Sequence, residues 1–466
     1  MLGANVVEVL LPLMRNVALA RILPQEQFGF AVTLQVTLAI GDMMTDLGLP
    51  QTAYRGGTGK RYKSFLQTVH AINMIKALLV AVIMPLAVYT QFSMLSFEHN
   101  YQTYLLVILI IFIRSFENLS VKRLLRLYKY GVEATIIIST QIVLTASTIA
   151  LAFYLRDYSC VLWGSLVSVI WTTLLSQVMA PARWRLGFDR AASAEVLRFG
   201  LPLVPNGIAS SMSVLDRLVV GATLGAVAVA HYSVIMSIIQ LPRTVLWRIS
   251  TTSIAAHFTN LNVRGSGLVE AYRVWAVLIS LVAYAYAIAI VAAGPTAIAI
   301  IFGAAYEPSR VLICIAAINV TVKIMMLIPI PSAYSTGRTK LVSLGSVVAT
   351  LALIPASLTL MTMPGTVELF LGILTLVEAI GAGTFLFYCA RRFHVGGRFT
   401  VLVLFTPLAA LSAILISTHW IGALDLLPWM LAVISMGAVF GALQVLILCR
   451  FAPSALRVDQ FLRKLM

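Results

Sequence analysis

The sequence is poor in charge. Asp, Glu, Lys and Arg make up 11% of 466 residues and 60% are hydrophobic, whereas about a quarter of the residues of an ordinary soluble domain are charged. A water-soluble globular fold is excluded. Cysteine is scarce as well: Cys160, Cys314, Cys389 and Cys449 stand far apart with no CxxC spacing, which argues against a metal site, a redox pair or a disulfide framework and reads as packing. No HExxH, GxSxG, Walker or DxD-like constellation occurs in a polar segment, and no cofactor or metal is expected. Long connections are lacking on the side poor in basic residues, where the longest is about residues 294–307. A membrane-embedded glycan enzyme usually carries its catalytic residues on a large external loop, so an enzyme is disfavoured. No positively charged leader with a cleavage site precedes the first apolar run, which is therefore expected to be retained.

What is present is a succession of apolar runs, with a mean hydropathy of +0.95. They are far longer than barrel strands, so the backbone must be satisfied inside helices. The expectation is an all-α polytopic membrane protein of about 14 transmembrane helices. The spans are predicted near 1–20, 28–50, 65–90, 102–121, 132–154, 160–180, 199–222, 231–256, 270–293, 308–333, 341–361, 366–390, 400–418 and 426–449.

The basic residues test that count, because cytoplasmic loops carry the Lys and Arg excess. One set of connections holds 23 of them, running from Arg55, Lys60 and Arg61 through Lys122, Arg183, Arg264, Arg338 and Arg391 to Lys464. The opposite set holds only Arg21 and Arg156 within its loops. Both termini are thus expected in the cytoplasm, and the net charge of +16 reflects topology and contact with anionic lipid rather than a nucleic-acid partner.

A weak internal repeat accompanies the count. LARILPQEQFGFA (19–31) laid over VGATLGAVAVAHY (220–232) places a span end, a short turn and a new span at matching positions, 201 residues apart. Two lobes of six helices follow, 1–180 and 199–390, joined by a basic linker at 181–198. Two extra helices and a tail occupy 391–466.

ARILPQEQFGFA with the following LGLPQ, RFGLPLVPNGIASSMSVLDRLVVGATLGAVAVAHYS, IIFGAAYEPS (300–309) and STGRTKL (335–341) resemble the polysaccharide transporters, the bacterial oligosaccharide and O-antigen flippases. These belong to the superfamily that also holds the lipid-linked peptidoglycan precursor flippase and the multidrug and toxin extruders. The resemblance extends over the whole chain in layout and departs at Pro24, where the family usually shows Gly. It implies an exporter that moves an undecaprenyl-diphosphate-linked oligosaccharide across the bacterial inner membrane for O-antigen, capsule or exopolysaccharide synthesis. Its implied partners are that lipid-linked oligosaccharide, membrane lipids, a polysaccharide polymerase and glycosyltransferases.

Charges deep inside the spans are the candidate site, since an ionisable residue there is costly and normally has a partner or a task. The bases are Arg15, Lys76, Arg114, Arg217, Arg243 and Lys323. The acids are Glu8, Glu117, Asp216 and Glu378, with Asp42 and Asp46 nearer a span end. Arg114 with Glu117 and Glu8 with Arg15 are spaced to pair locally on a helix, leaving Arg15, Lys76, Arg217, Arg243 and Lys323 without an obvious local acid otherwise. At the repeat offset, Asp216 corresponds to Arg15 and Arg243 to Asp42. Bases left over in a low-dielectric bundle suit an anion, and a diphosphate matches Arg in charge and geometry. Arg217 is accordingly expected to face a central basic cavity while Asp216 aims at a basic neighbour. Asp42, Asp46, Glu117, Asp216 and Glu378 are expected to support the bases or to couple an ion. Asn206, Asn319, Gln240 and Gln35 are weaker, sugar-lining candidates. Pro242, Pro329 and Pro331 are expected to kink their spans. A multidrug or metabolite antiporter of the same superfamily is the chief alternative, but it should concentrate acids in its cavity; a membrane-embedded glycan enzyme is the other.

Overall fold

The structure is a computed structural model. It describes residues 2–44, 47–55, 59–126, 129–201, 204, 207, 211, 214–263, 267–338, 340–362, 365–421, 433–435, 438, 439, 442 and 446. Asp46, Asn206 and Cys449 lie outside these residues, as does most of the expected last span. The described chain is helical, with no strand among the described residues.

Among the described residues, six helices are long and apolar enough to cross a membrane: Tyr62–Met94, Tyr130–Leu155, Ser159–Met179, Leu268–Phe302, Arg310–Ser335 and Val367–Arg392. A seventh span exists if Tyr101–Arg114 and Leu119–Leu125, bent by 50°, count as one. The chain is a multi-pass membrane protein; the figure of 14 spans stays an expectation. Helices Leu2–Ile22 and Gln25–Met44 have 21 and 20 residues, enough to span, but they contain Glu8, Arg15 and Arg21, and Glu26, Gln35 and Asp42, respectively.

Several expected spans are interrupted. Segment 231–256 divides into Ala226–Ile239, Leu241–Ile249 and the π-helical Ser250–Ile254; Pro242 sits in the first turn of the second piece, where its missing N–H is harmless. The expected span 341–361 breaks between Lys340–Leu351 and Leu353–Thr362. Conversely, Leu268–Phe302 runs straight through Pro295, so most of the connection expected at 294–307 is helix.

Helix starts are secured locally. Asn100, Asp189, Ser309 and Thr366 each accept a hydrogen bond from a backbone N–H of the turn that follows, satisfying donors left over at helix N-termini.

The chain forms two compact units, Met1–Ser233 and Val234–Met466; their boundary falls inside the Ala226–Ile239 helix. In the first, Tyr130–Leu155 packs on Ser159–Met179 closely enough that a Cβ on Gly164 would come within 2.2 Å of Thr148 Oγ1, the small-residue contact favoured between membrane helices. The Arg190–Gly200 helix lays Ala192 and Val196 on a cluster of Leu49, Phe65, Val69 and Leu119. In the second unit, Arg310–Met325 packs against Leu268–Phe302 and Val367–Arg392 and is buried along most of its length.

Candidate functional site: buried charges in each unit

In the first unit, the Asp216–Leu224 helix begins at Asp216 itself, so the carboxylate occupies the first turn, where the helix dipole favours an anion. Asp216 is buried and fully engaged: Oδ1 accepts the Arg217 backbone N–H at 2.9 Å and Oδ2 accepts the Tyr232 hydroxyl at 2.7 Å. The Asp-Arg pair is thus resolved differently from the sequence expectation, which aimed Asp216 at a basic side chain. Tyr232 comes within reach because the chain reverses at Gly225, whose φ of +86° suits glycine. Arg217 is half-buried, and its Nε is buried without a hydrogen-bond partner among the described residues.

Arg15 donates from a terminal nitrogen to Gln35 Oε1 at 3.3 Å, and its Nε likewise has no partner among the described residues. Arg114 forms an ion pair with Asp42. The expectation of an Arg114–Glu117 pair presumes a continuous helix, but the Tyr101–Arg114 helix ends at Arg114 and Ser115 begins a turn. Glu117 is carried off that face and acts on Arg114 only as a neighbouring charge. Lys76 lies half-buried on the Gly59–Met94 helix.

In the second unit, Glu378 is 3% exposed and collects a set of partners. Lys323 Nζ lies 3.4 Å from its Oε1, and Asn319 donates to its Oε2 at 2.8 Å and to Thr375 Oγ1 at 3.1 Å. Lys323 therefore has the acid that the sequence did not reveal, supplied by a helix 55 residues further on. Arg243 is close enough to Glu378 to interact electrostatically, while its Nε is buried without a hydrogen-bond partner among the described residues. Asn319 serves this carboxylate; it does not stand free to line a cavity.

His70 and Trp184 take no part in these charge clusters. His70 is fully buried, bonded through Nδ1 to the Arg185 carbonyl at 3.3 Å and stacked on Trp184, so the two are packing residues. Cys160, Cys314 and Cys389 are buried in the packing. No group of three or more His, Cys, Asp or Glu side chains that could hold a metal ion occurs among the described residues.

The sequence profile of the polysaccharide biosynthesis protein family matches residues 18–311, well over half of the chain. The chain belongs to that family. Among solved structures it is similar over 97% of its length, and 99% of theirs, to the lipid II flippase MurJ in an inward closed conformation, with a TM-score of 0.65 at 14% identity. An inward-facing multidrug resistance MATE family transporter of the MOP superfamily matches 83% of the chain and 94% of its own, with a TM-score of 0.56 at 15% identity. At these identities the likeness establishes a shared fold. No curated protein matches in sequence. The family member described here is thus a multi-pass membrane protein of polysaccharide biosynthesis with the fold of flippases and exporters.

Proposed function

We propose that this protein exports an undecaprenyl-diphosphate-linked oligosaccharide across the bacterial inner membrane, by alternating access, for surface polysaccharide assembly. In this reading both termini are cytoplasmic, and the 201-residue repeat divides the sequence into lobes 1–180 and 199–390 with 181–198 as linker. The diphosphate is drawn to the guanidinium groups of Arg15, Arg217 and Arg243; Lys76, Arg114 and Lys323 add positive potential. Asp42 and Glu117, Asp216 and Glu378 hold these bases in place.

The observation that carries this reading is an imbalance of hydrogen bonding. Asp42, Asp216 and Glu378 each have partners, whereas Arg15, Arg217 and Arg243 each keep a buried Nε–H unmet among the described residues. A buried donor without an acceptor costs free energy until one arrives, and a diphosphate oxygen is an acceptor whose charge also balances the guanidinium. A drug-cation exporter would need the reverse imbalance. The membrane potential pushes the same way: two negative charges moved outwards gain about 4.6 kcal/mol at about 100 mV inside negative.

The test is deletion of the gene followed by localisation of the lipid-linked oligosaccharide. Unpolymerised oligosaccharide should build up on the cytoplasmic leaflet. Normal export, or loss of organic-cation efflux instead, would defeat the proposal.

A further inference from the structure

The Gln25–Met44, Gly59–Met94 and Asp216–Leu224 helices frame a cavity of about 550 Å³ in the first unit, lined among the described residues by none of the candidate charges. Its lining follows the Gly59–Met94 helix from Val80 to Leu95, about 22 Å at 1.5 Å per residue. It is therefore long and narrow, the shape of a chain rather than of a compact molecule. Most of the wall is aliphatic. Ile83 and Met94 line it and are also 60% and 59% exposed, on a helix that exposes Leu79, Val82 and Leu86 as well. The cavity thus opens beside an apolar, exposed face of that helix.

One group in this wall is out of keeping with hydrocarbon. Gln91 lines the cavity, is 7% exposed and donates to the Thr37 hydroxyl, while its Oε1 has no hydrogen-bond partner among the described residues. It lies three residues before the end of its helix at Met94, at interfacial depth. From Gln91 down to Val80 the lining covers about 16 Å, the hydrocarbon depth of one leaflet, about 15 Å. An acceptor near the interface above one leaflet's depth of apolar wall matches a lipid whose head group carries N–H donors.

We propose that this cavity is a phospholipid site: one acyl chain of a phosphatidylethanolamine-type lipid lies between the three helices, and its ammonium donates to Gln91 Oε1. The lipid then forms part of the wall beside Leu215 and Leu218, on the helix that carries Asp216 and Arg217. The assignment is independent of what the protein exports.

The experiment uses the full chain in vesicles doped with a diazirine-tailed phosphatidylethanolamine or its trimethylated choline counterpart, which has the same chains and no N–H. After photolysis, the peptides spanning 80–95 and 215–222 should be labelled at least fivefold more by the ethanolamine probe. Gln91→Leu should abolish that preference. Ala222→Trp, at an exposed position on the wall, should cut labelling there about tenfold while the lipid-facing Tyr130–Leu155 helix is labelled as before. Leu218→Phe serves the same purpose should the tryptophan variant fail to fold. Equal labelling by both probes, or labelling indifferent to filling of the cavity, would overturn the assignment. So would displacement of the ethanolamine probe by undecaprenyl diphosphate, which would give the chain site to the cargo.

Discussion

Removing the charge of Glu378 while keeping its shape should destabilise the second unit sharply. The carboxylate is buried, its Oε1 is 3.4 Å from Lys323 Nζ, and the two side chains are 4% and 12% exposed. Two unit charges at that distance interact by about 5 kcal/mol at an effective dielectric of about 20. Removing one partner of a buried pair costs roughly 3–5 kcal/mol, because the other is left uncompensated. Glu378→Gln keeps an acceptor for Asn319 and an amide of the same volume, so the loss should be electrostatic, about 3 kcal/mol or more. Combining it with Lys323→Met removes both charges and should recover most of that loss. What remains lost measures the support that Glu378 lends Arg243. The assay is denaturant unfolding in nanodiscs of fixed lipid composition, run as a double-mutant cycle. A single variant as stable as the parent, or a double variant that merely adds the two losses, would refute the argument.

The Asp42–Arg114 pair should behave oppositely. Its side chains are 49% and 54% exposed, so neither charge is sealed in the interior and Asp42→Asn should cost at most about 1 kcal/mol in the same unfolding assay. Tyr232→Phe deletes one hydrogen bond to a buried carboxylate and should cost about 1.5–3 kcal/mol; an unchanged unfolding midpoint would mean that Asp216 is satisfied some other way. Gly29→Ala should be disruptive despite its small size, because the new Cβ would fall 1.8 Å from the Ala226 carbonyl oxygen. Overpacking of this kind costs roughly 1–3 kcal/mol, to be read as reduced folded yield and a lower melting temperature.

Hydropathy was enough to establish helical membrane spans, because a bilayer imposes one structural answer on long apolar runs. The two sharp reversals near Pro24 and Gly225 were also legible, since a span end, a turn and a new span recur at a fixed offset. The partners of the deep charges were not. Local spacing offered Glu117 to Arg114, but spacing carries no information once the helix stops at Arg114, and Asp42 takes the role from another helix. Lys323 and Glu378 meet only through the packing of Arg310–Met325 on Val367–Arg392, which no periodicity encodes. Interruptions at Gln240, Ser250–Ile254 and Ala352 were hidden for a related reason: hydropathy averages over a window and is blind to a single broken turn.

The central claim is that the guanidinium groups of Arg217 and Arg243 take a diphosphate. Its most direct test is the affinity of the purified protein in nanodiscs for undecaprenyl diphosphate, compared with Arg217→Gln and Arg243→Gln. Loss of a charge-assisted hydrogen bond, worth about 1.5–3 kcal/mol, should weaken binding by roughly tenfold or more in each variant while the folded yield stays unchanged. Affinity equal to that of the parent in both variants would contradict the account.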